Sequence, residues 1–510
     1  MILLIGFAVR FFAYHHTYLL NPDGVLYIHQ ARAIYYGDLE KITSCNLQFI
    51  SVYPFLIVGA FTVFRDWIMA ASFVSLFFGT LTLLPLYLLL RRFFDKQIST
   101  LTTLSIALIP MFVSRSADVV RGPIYWFFLV LGLYFFLVHI DRKTHLHLIF
   151  SCLSFLVATW ARYEALLFII VSSLFLLLSK EENKLKTLTV FVSPFIAVVI
   201  FFLLGNLIFN FSGDSFHQIL VILEKISGPA VQYNQLRTSL DLLMAEQKIS
   251  LLILFLPEAK NLIWLIALGT VLGRFFEAFF VPFALVFLLG FGGVRKKCKD
   301  DPRVFFCVLT VISGMVLLYV HILSSWVMEN RFFALVIYPG AIFLGFGLQN
   351  IIVFLHSKYQ WKKSIVFAIA CLAIVVLTMP FNLESRRLDK LIFKDIGELV
   401  AQKEKSSAMG EVVVSTSKPI QGWVSFYANL TFPGAPCPQH FENCWERFPD
   451  SYGKFISTLK EKKIKYFLWD ERFWPKEKFN IQTREYYSDL KELGRWKHAD
   501  TGQMILFEVI

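Results

Sequence analysis

Four short turns of this chain set ionisable side chains beside long apolar runs, and chemistry would be done there. Asn21-Pro22-Asp23-Gly24 follows the first apolar run, with Tyr27 one helical turn further on. Ser114-Arg115-Ser116-Ala117-Asp118-Val119-Val120-Arg121 joins two later runs. Trp160-Ala161-Arg162-Tyr163-Glu164 joins two more with almost no loop, and Glu329-Asn330-Arg331 opens a late run. Every turn holds a carboxylate, and three also hold Arg. A carboxylate of raised basicity takes a proton from a hydroxyl. Guanidinium groups hold phosphate through charge-assisted, often bidentate bonds. Stabilising a departing phosphate is a place where electrostatic catalysis acts. The set therefore suits a reaction on an anionic lipid at one membrane surface.

Each turn also has a plainer reading. Asp23 before a helix is a common N-cap. Asp118 with Arg115 and Arg121 makes a local salt bridge, and Arg162 and Glu164 are end residues that snorkel. His15 and His16 read as interfacial rings near the end of the first run. Arg10 lies inside that run and needs a partner or water. Against the plainer readings stands the sidedness: all four turns fall on the same side, where the positive-inside bias would not draw Arg.

The elements that must position these turns are membrane helices. Of 510 residues, 56% are hydrophobic and 17% charged, and Phe occurs 55 times. Mean hydropathy is +0.61. Soluble domains are about 45–50% apolar and about 25% charged, so this surface is built for lipid. Spans are expected at about 1–20, 69–90, 98–114, 122–140, 146–160, 165–179, 187–209, 278–293, 304–325, 332–354 and 364–381, eleven in all. The apolar stretch Tyr53–Phe64 is too short to cross and reads as an interfacial helix. The first outer loop is 21–68, and a long outer loop is expected at 211–277.

The net charge of +12 comes from clusters between runs rather than from a basic stripe, which argues against a nucleic-acid partner. The clusters are Arg91, Arg92 and Lys96; Arg142 and Lys143; Lys180, Lys184 and Lys186; Arg295, Lys296, Lys297, Lys299 and Arg303; and Lys358, Lys362 and Lys363. They occupy every second loop, as cytoplasmic loops do. With eleven spans the C-terminus lies outside.

Composition changes after residue 381. Residues 1–381 read as the membrane domain and 382–510 as a small, soluble, extracytoplasmic α/β domain. Val412–Val414, Lys465–Trp469 and Met504–Ile510 are expected strands, with a helix at Tyr452–Lys463. Cys152, Cys307 and Cys371 sit in apolar runs as packing residues. Cys437 and Cys444 are close in sequence and are a candidate disulfide in an oxidising compartment.

The order of these features resembles the GT-C membrane glycosyltransferases. The shared pattern is the Asn21–Tyr27 turn with Ala31-Arg32, the Tyr53-Pro54 helix, Arg115 to Arg121, Arg162-Tyr163-Glu164, and Arg331 with Pro339. It is most similar to the family 39-like group of protein mannosyltransferases and aminoarabinose transferases. The resemblance implies a polyprenyl-phosphate-linked sugar donor, a lipid, glycan or protein acceptor, and a single inverting displacement. It implies Asp23 as general base and Asp118 as the second-loop acid. Gly24 stands where the family often has a second acid. Arg331 is implied to contact lipid phosphate, with Tyr27, Arg115, Arg121, Arg162, Glu164 and Glu329 as further substrate-binding residues. Some relatives use a divalent metal cation, for which Asp23, Asp118 and Glu164 would supply oxygen ligands. A bacterial inner membrane with a periplasmic active site is the implied location. An O-antigen-type ligase or polymerase is the near rival. A transporter would call for acids at the bilayer midplane and repeated halves, and the sequence has no repeat.

Overall fold

The computed structural model describes residues 1–43, 45, 49–179, 182–209, 214–246, 250–404, 410–438, 451–474, 479, 481 and 489–510. The first apolar run forms α1 (Ile2–His15). The Asn21 turn opens α2 (Pro22–Tyr36), with Pro22 in the first helical turn, where its missing N–H costs nothing. Gly37, at φ 78°, ends α2 in the left-handed conformation that favours glycine. The expected interfacial helix is α3 (Val52–Phe64). Next come α4 (Trp67–Leu81) and α5 (Leu83–Leu90), which together span Trp67–Leu90. The run expected at 98–114 is broken into α6 (Lys96–Ala107) and α7 (Pro110–Ser116), bent by 62°. Pro110 supplies the reason: it cannot donate to the ladder, and it disfavours helical geometry in the residue before it.

The chain continues through α8 (Gly122–Arg142), α9 (His145–Ala161), α10 (Leu166–Leu178) and α11 (Lys184–Phe209). The segment expected as a long outer loop with further interfacial apolar pieces, 211–277, is helical where it is described: α12 (Asp214–Glu246), α13 (Ser250–Asn261) and α14 (Ile263–Phe279). Residues Leu251–Asn261 and Ile263–Phe279 pair as apolar helices bent by 75°. Within α14 the only charges are Arg274 and Glu277, which neutralise one another at 2.7 Å one turn apart. The run expected at 278–293 is not one helix either. It is cut at Phe280, whose φ is 66°, into the end of α14, then α15 (Val281–Leu289) and α16 (Phe291–Lys297).

After α17 (Pro302–Ser325), the run expected at 332–354 becomes α18 (Ala334–Ile337) and α19 (Ala341–Tyr359), followed by α20 (Lys363–Asn382). Among the described residues six helices are long and apolar enough to cross a membrane, or eight if each bent pair is one span. The shorter apolar helices α1, α9 and α10 fall on expected spans, and α3 is a fourth.

The C-terminal elements are α21 (Leu391–Glu404), β1 (Val414–Ser415), α22 (Lys418–Ala428), α23 (Tyr452–Glu461), β2 (Tyr466–Asp470), β3 (Leu490–His498) and β4 (Gly502–Val509). The sheet order is β1-β2-β4-β3, parallel between β1 and β2 and antiparallel elsewhere. Phe455, Ile456 and Leu459 of α23 close over Phe467, Trp469, Ile505 and Phe507. The strand β3 was not expected. Its sequence, LKELGRWKH, is charged because it lies at the sheet edge, and a register shift between Glu492 and Gly494 bends it.

The chain forms two compact units. The first comprises 1–11, 75–116 and 121–383; the second comprises 12–74, 117–120 and 384–510. Thus the C-terminal elements share a unit with α2 and α3 and with the four residues from Ala117 to Val120. In the first unit α15 and α19 touch backbone to backbone. A Cβ on Gly290 would sit on the Phe343 carbonyl, and one on Gly347 on the Val286 carbonyl. Small residues at helix contacts are how membrane helices approach closely.

Candidate functional site

In the second unit the site is built on the N-terminus of α2. Asn21, not Asp23, is the N-cap: its Oδ1 accepts from the Asp23 N–H at 2.9 Å. Asp23 sits in the first turn, half-buried, where the helix dipole favours a carboxylate. Gly24 packs on the 117–120 strip. A Cβ there would meet the Val119 Cβ at 2.9 Å and the Val119 carbonyl at 3.0 Å. A second acid beside Asp23 at this position therefore has no room.

Asp118 is 4% exposed, and its oxygens are already engaged. Oδ1 accepts from the Asn21 N–H at 3.1 Å and the Val119 N–H at 2.9 Å, and Oδ2 pairs with Arg387 at 2.6 Å. Arg387 also donates to the Leu19 carbonyl at 2.8 Å. Asp118 thus fastens the start of α2 to the C-terminal chain. Tyr27, expected to bind substrate, is 4% exposed and packs edge-on against Tyr53 at 5.4 Å between α2 and α3.

The other end of α2 is held by residues whose part the sequence did not reveal. Arg32 donates to the carbonyls of Gly434 at 2.7 Å, Asn429 at 3.1 Å and Phe432. Burial pulls its pKa down to about 10. His29 faces the Pro436 carbonyl at 3.0 Å and the Lys41 carbonyl at 2.9 Å. Cys437 is bonded to Cys45. The pairing of Cys437 with Cys444 is therefore corrected, and Cys444 itself lies outside the described residues. Neighbours in sequence are a poor guide here, because the loop after α2 and the segment after α22 meet in space.

In the first unit three of the four turns converge. Glu329 accepts from Arg331 at 2.8 Å and Arg115 at 3.4 Å, so it joins the second turn to the fourth. Arg162 pairs with Glu164 at 2.6 Å. Arg162 and Arg331 both lie over the Phe332 ring, at 4.9 and 5.8 Å, which joins the third turn to the fourth. Glu164 lies in the turn between α9 and α10. Burial alone would raise its carboxyl, but Arg162, with a contribution from Arg121, holds it at about 2. Near this group the Tyr125 hydroxyl, Glu164 Oε2 and the Asn330 side-chain oxygen Oδ1 are buried without a hydrogen-bond partner among the described residues. Buried polar atoms of this kind call for a water or a ligand. Arg10, whose partner the sequence did not name, donates to Ser116 Oγ at 3.2 Å and to the Gly6 and Ala107 carbonyls at 3.0 Å each.

The basic loops meet as well. Arg92 pairs with Asp141, and Arg303 bridges Asp141 at 3.2 Å and Asp301 at 2.8 Å. Asp141 and Arg121 flank opposite ends of α8, which at 1.5 Å per residue are about 30 Å apart. The two sets of loops therefore gather at two ends of the first unit.

Comparison with known proteins adds to this geometry. Residues 51–208 match the family model described as dolichyl-phosphate-mannose-protein mannosyltransferase. No curated protein sequence matches. The oligosaccharyltransferase of Archaeoglobus fulgidus, solved with Zn and sulfate, superposes with a TM-score of 0.60 at 15% identity, covering 99% of this chain and 73% of that one. ArnT from Cupriavidus metallidurans in its apo state gives 0.58 at 13%, covering 99% and 96%. The same protein bound to undecaprenyl phosphate gives 0.56 at 10%, covering 99% and 97%. The chain is an integral membrane protein with the GT-C glycosyltransferase fold, and it resembles the family 39 group.

Proposed function

We infer that this protein is a glycosyltransferase that moves a sugar from a polyprenyl-phosphate carrier to a hydroxyl of a lipid, glycan or protein acceptor. The observation that carries the inference is the gathering of Arg115, Arg162 and Arg331 around Glu329 and Phe332. Guanidinium groups gathered in this way can hold a phosphate through charge-assisted, often bidentate bonds. Two structural neighbours were solved with such carriers: ArnT with undecaprenyl phosphate, and the A. fulgidus oligosaccharyltransferase AglB with an inhibitory peptide and a dolichol-phosphate.

Asp23 takes the proton of the acceptor hydroxyl. The oxygen attacks the anomeric carbon, the bond from that carbon to the phosphate oxygen breaks, and the configuration inverts. The lipid phosphate leaves with the electron pair, and Arg115, Arg121, Arg162 and Arg331 stabilise its charge. Glu329 and Glu164 hold the guanidinium groups in place. Asp118, with its oxygens engaged, is a positioning residue for the Asp23 turn.

A divalent metal on Asp23, Asp118 and Glu164 does not fit this arrangement. Arg387 would have to leave Asp118, and no group of three His, Cys, Asp or Glu side chains among the described residues stands together. The mechanism has no step through a metal. The proposed reaction side is the outer face, following the alternation of basic loops, and the resemblance implies a bacterial inner membrane.

The test incubates purified protein with radiolabelled polyprenyl-phosphate sugars and candidate acceptors. Transfer by the wild type and its loss in Asp23→Asn support the assignment. Full transfer by Asp23→Asn removes Asp23 as base, and movement of the labelled lipid across vesicles without transfer would replace the enzyme by a transporter.

A further inference from the structure

The C-terminal half of the second unit contains a cavity of about 280 Å³ that the mechanism above does not use. This is close to the lower end of small-molecule sites, about 300–1,000 Å³. We propose that it binds one sugar ring of a glycan, between an aromatic floor and a rim of alternating donors and acceptors.

The floor is made by Trp423 and Phe393, stacked with their planes 4° apart at 5.7 Å. Trp423 is fixed by its indole N–H, which donates to the Leu20 carbonyl at 3.0 Å. Phe473, 43% exposed, provides an open ring at the edge. On the rim, Lys390 lies over the Trp423 ring at 5.7 Å and pairs with Asp500 at 3.1 Å. Arg472 is exposed and reaches the Ala499 and Asp500 carbonyls only at 3.5 and 3.4 Å. Thr501 lines the same cavity fully buried, and its hydroxyl has no hydrogen-bond partner among the described residues. A buried hydroxyl left in that state is costly unless a ligand or water completes it.

The combination selects among ligands. A sugar ring has an apolar C–H face for an aromatic ring and a rim of hydroxyls that each donate and accept. Lys390 and Arg472 would donate to those hydroxyls, Asp500 would accept from them, and Thr501 can do both. An alkyl chain would leave Lys390, Asp500 and Thr501 unmatched. A bare anion would face the Asp500 carboxylate and leave the rings unused. The readout is binding, so it does not depend on glycosyl transfer.

The experiment uses the full chain in a detergent without a sugar headgroup. Isothermal titration and ligand-observed NMR are run with methyl glucoside, methyl mannoside, N-acetylglucosamine, inorganic phosphate and a short alkanol. Saturable binding of at least one sugar is expected, weakened about tenfold or more, some 1.4 kcal/mol, by Phe473→Ala and by the near-isosteric Thr501→Val. Thermal melts check that both variants fold, and Thr501→Val stands alone should Phe473→Ala not fold. No saturable sugar binding, binding unchanged in the folded variants, or phosphate or alkanol bound as tightly as every sugar would overturn the proposal.

Discussion

At the scale of single residues, Asp23 and Asp118 stand in different surroundings. Asp118 is buried and engaged on both oxygens, whereas Asp23 is half-buried in a turn whose cap is supplied by Asn21. Asp23→Asn is therefore expected to lower kcat by about 10²–10⁴-fold, the range for a lost general base, with little change in thermal stability. Parallel transfer assays and melts check this. Gly24→Asp, which would set a second carboxylate beside Asp23, is expected to destabilise the protein by about 1–3 kcal/mol, because the new side chain would overlap Val119. A gain of activity without loss of stability would contradict the packing argument.

The ion pair of Arg162 and Glu164 gives a pH dependence. Glu164 is held at about 2, below its ordinary 4.5. A group depressed in this way contributes stability that is fully present above about 4.5 and is lost as pH falls toward 2. Melting temperatures of wild type and Glu164→Gln should converge as pH is lowered through that window. Curves that stay parallel would show that the carboxylate is not the source.

At the scale of elements, α2 is fastened at both ends. Its start is tied through Asp118 and Arg387, and its end through Arg32, His29 and the bond from Cys45 to Cys437. The helix that carries Asp23, the proposed base, is thus held at both ends, as positioning of such a base would demand. Arg32→Met would leave three carbonyls without their donor, each costing about 1–3 kcal/mol. Its expected signature is a lower melting temperature together with a lower kcat, while Cys45→Ser loses about 2–4 kcal/mol. Variants that lose stability but keep full kcat would show that the clamp is structural only.

These ties also show where sequence reasoning stops. The helix α2, its Asn-Pro start and its Gly37 end could be read from local chemistry. Cys45 as the partner of Cys437 could not, since 392 residues separate them. Arg387 had no local signal either. It is a charged residue in a polar stretch, and only the fold brings it to Asp118.

At the scale of the whole molecule, the two sets of turns lie at opposite ends of α8 within the first unit. A reporter fused within the loop around Lys299 should read cytoplasmic, and one at residue 510 should not. The reverse pair of signals would invert the proposed side of the reaction while leaving the fold untouched.

What the sequence determined by itself was the membrane class, most of the apolar helices, the alternation of basic loops and the placing of carboxylates and Arg in the turns of one side. Those features follow from composition, period and charge, which are local properties. The tertiary structure decided the rest. It broke runs at Pro110, Phe280 and Gly340, made the segment after 214 helical, and placed α2 in one unit with the C-terminal sheet. It also gave Asp118 a structural partner and gathered Arg115, Arg162 and Arg331 from turns that the sequence keeps far apart. Contacts between distant segments depend on how helices pack, and no local pattern of residue types encodes that.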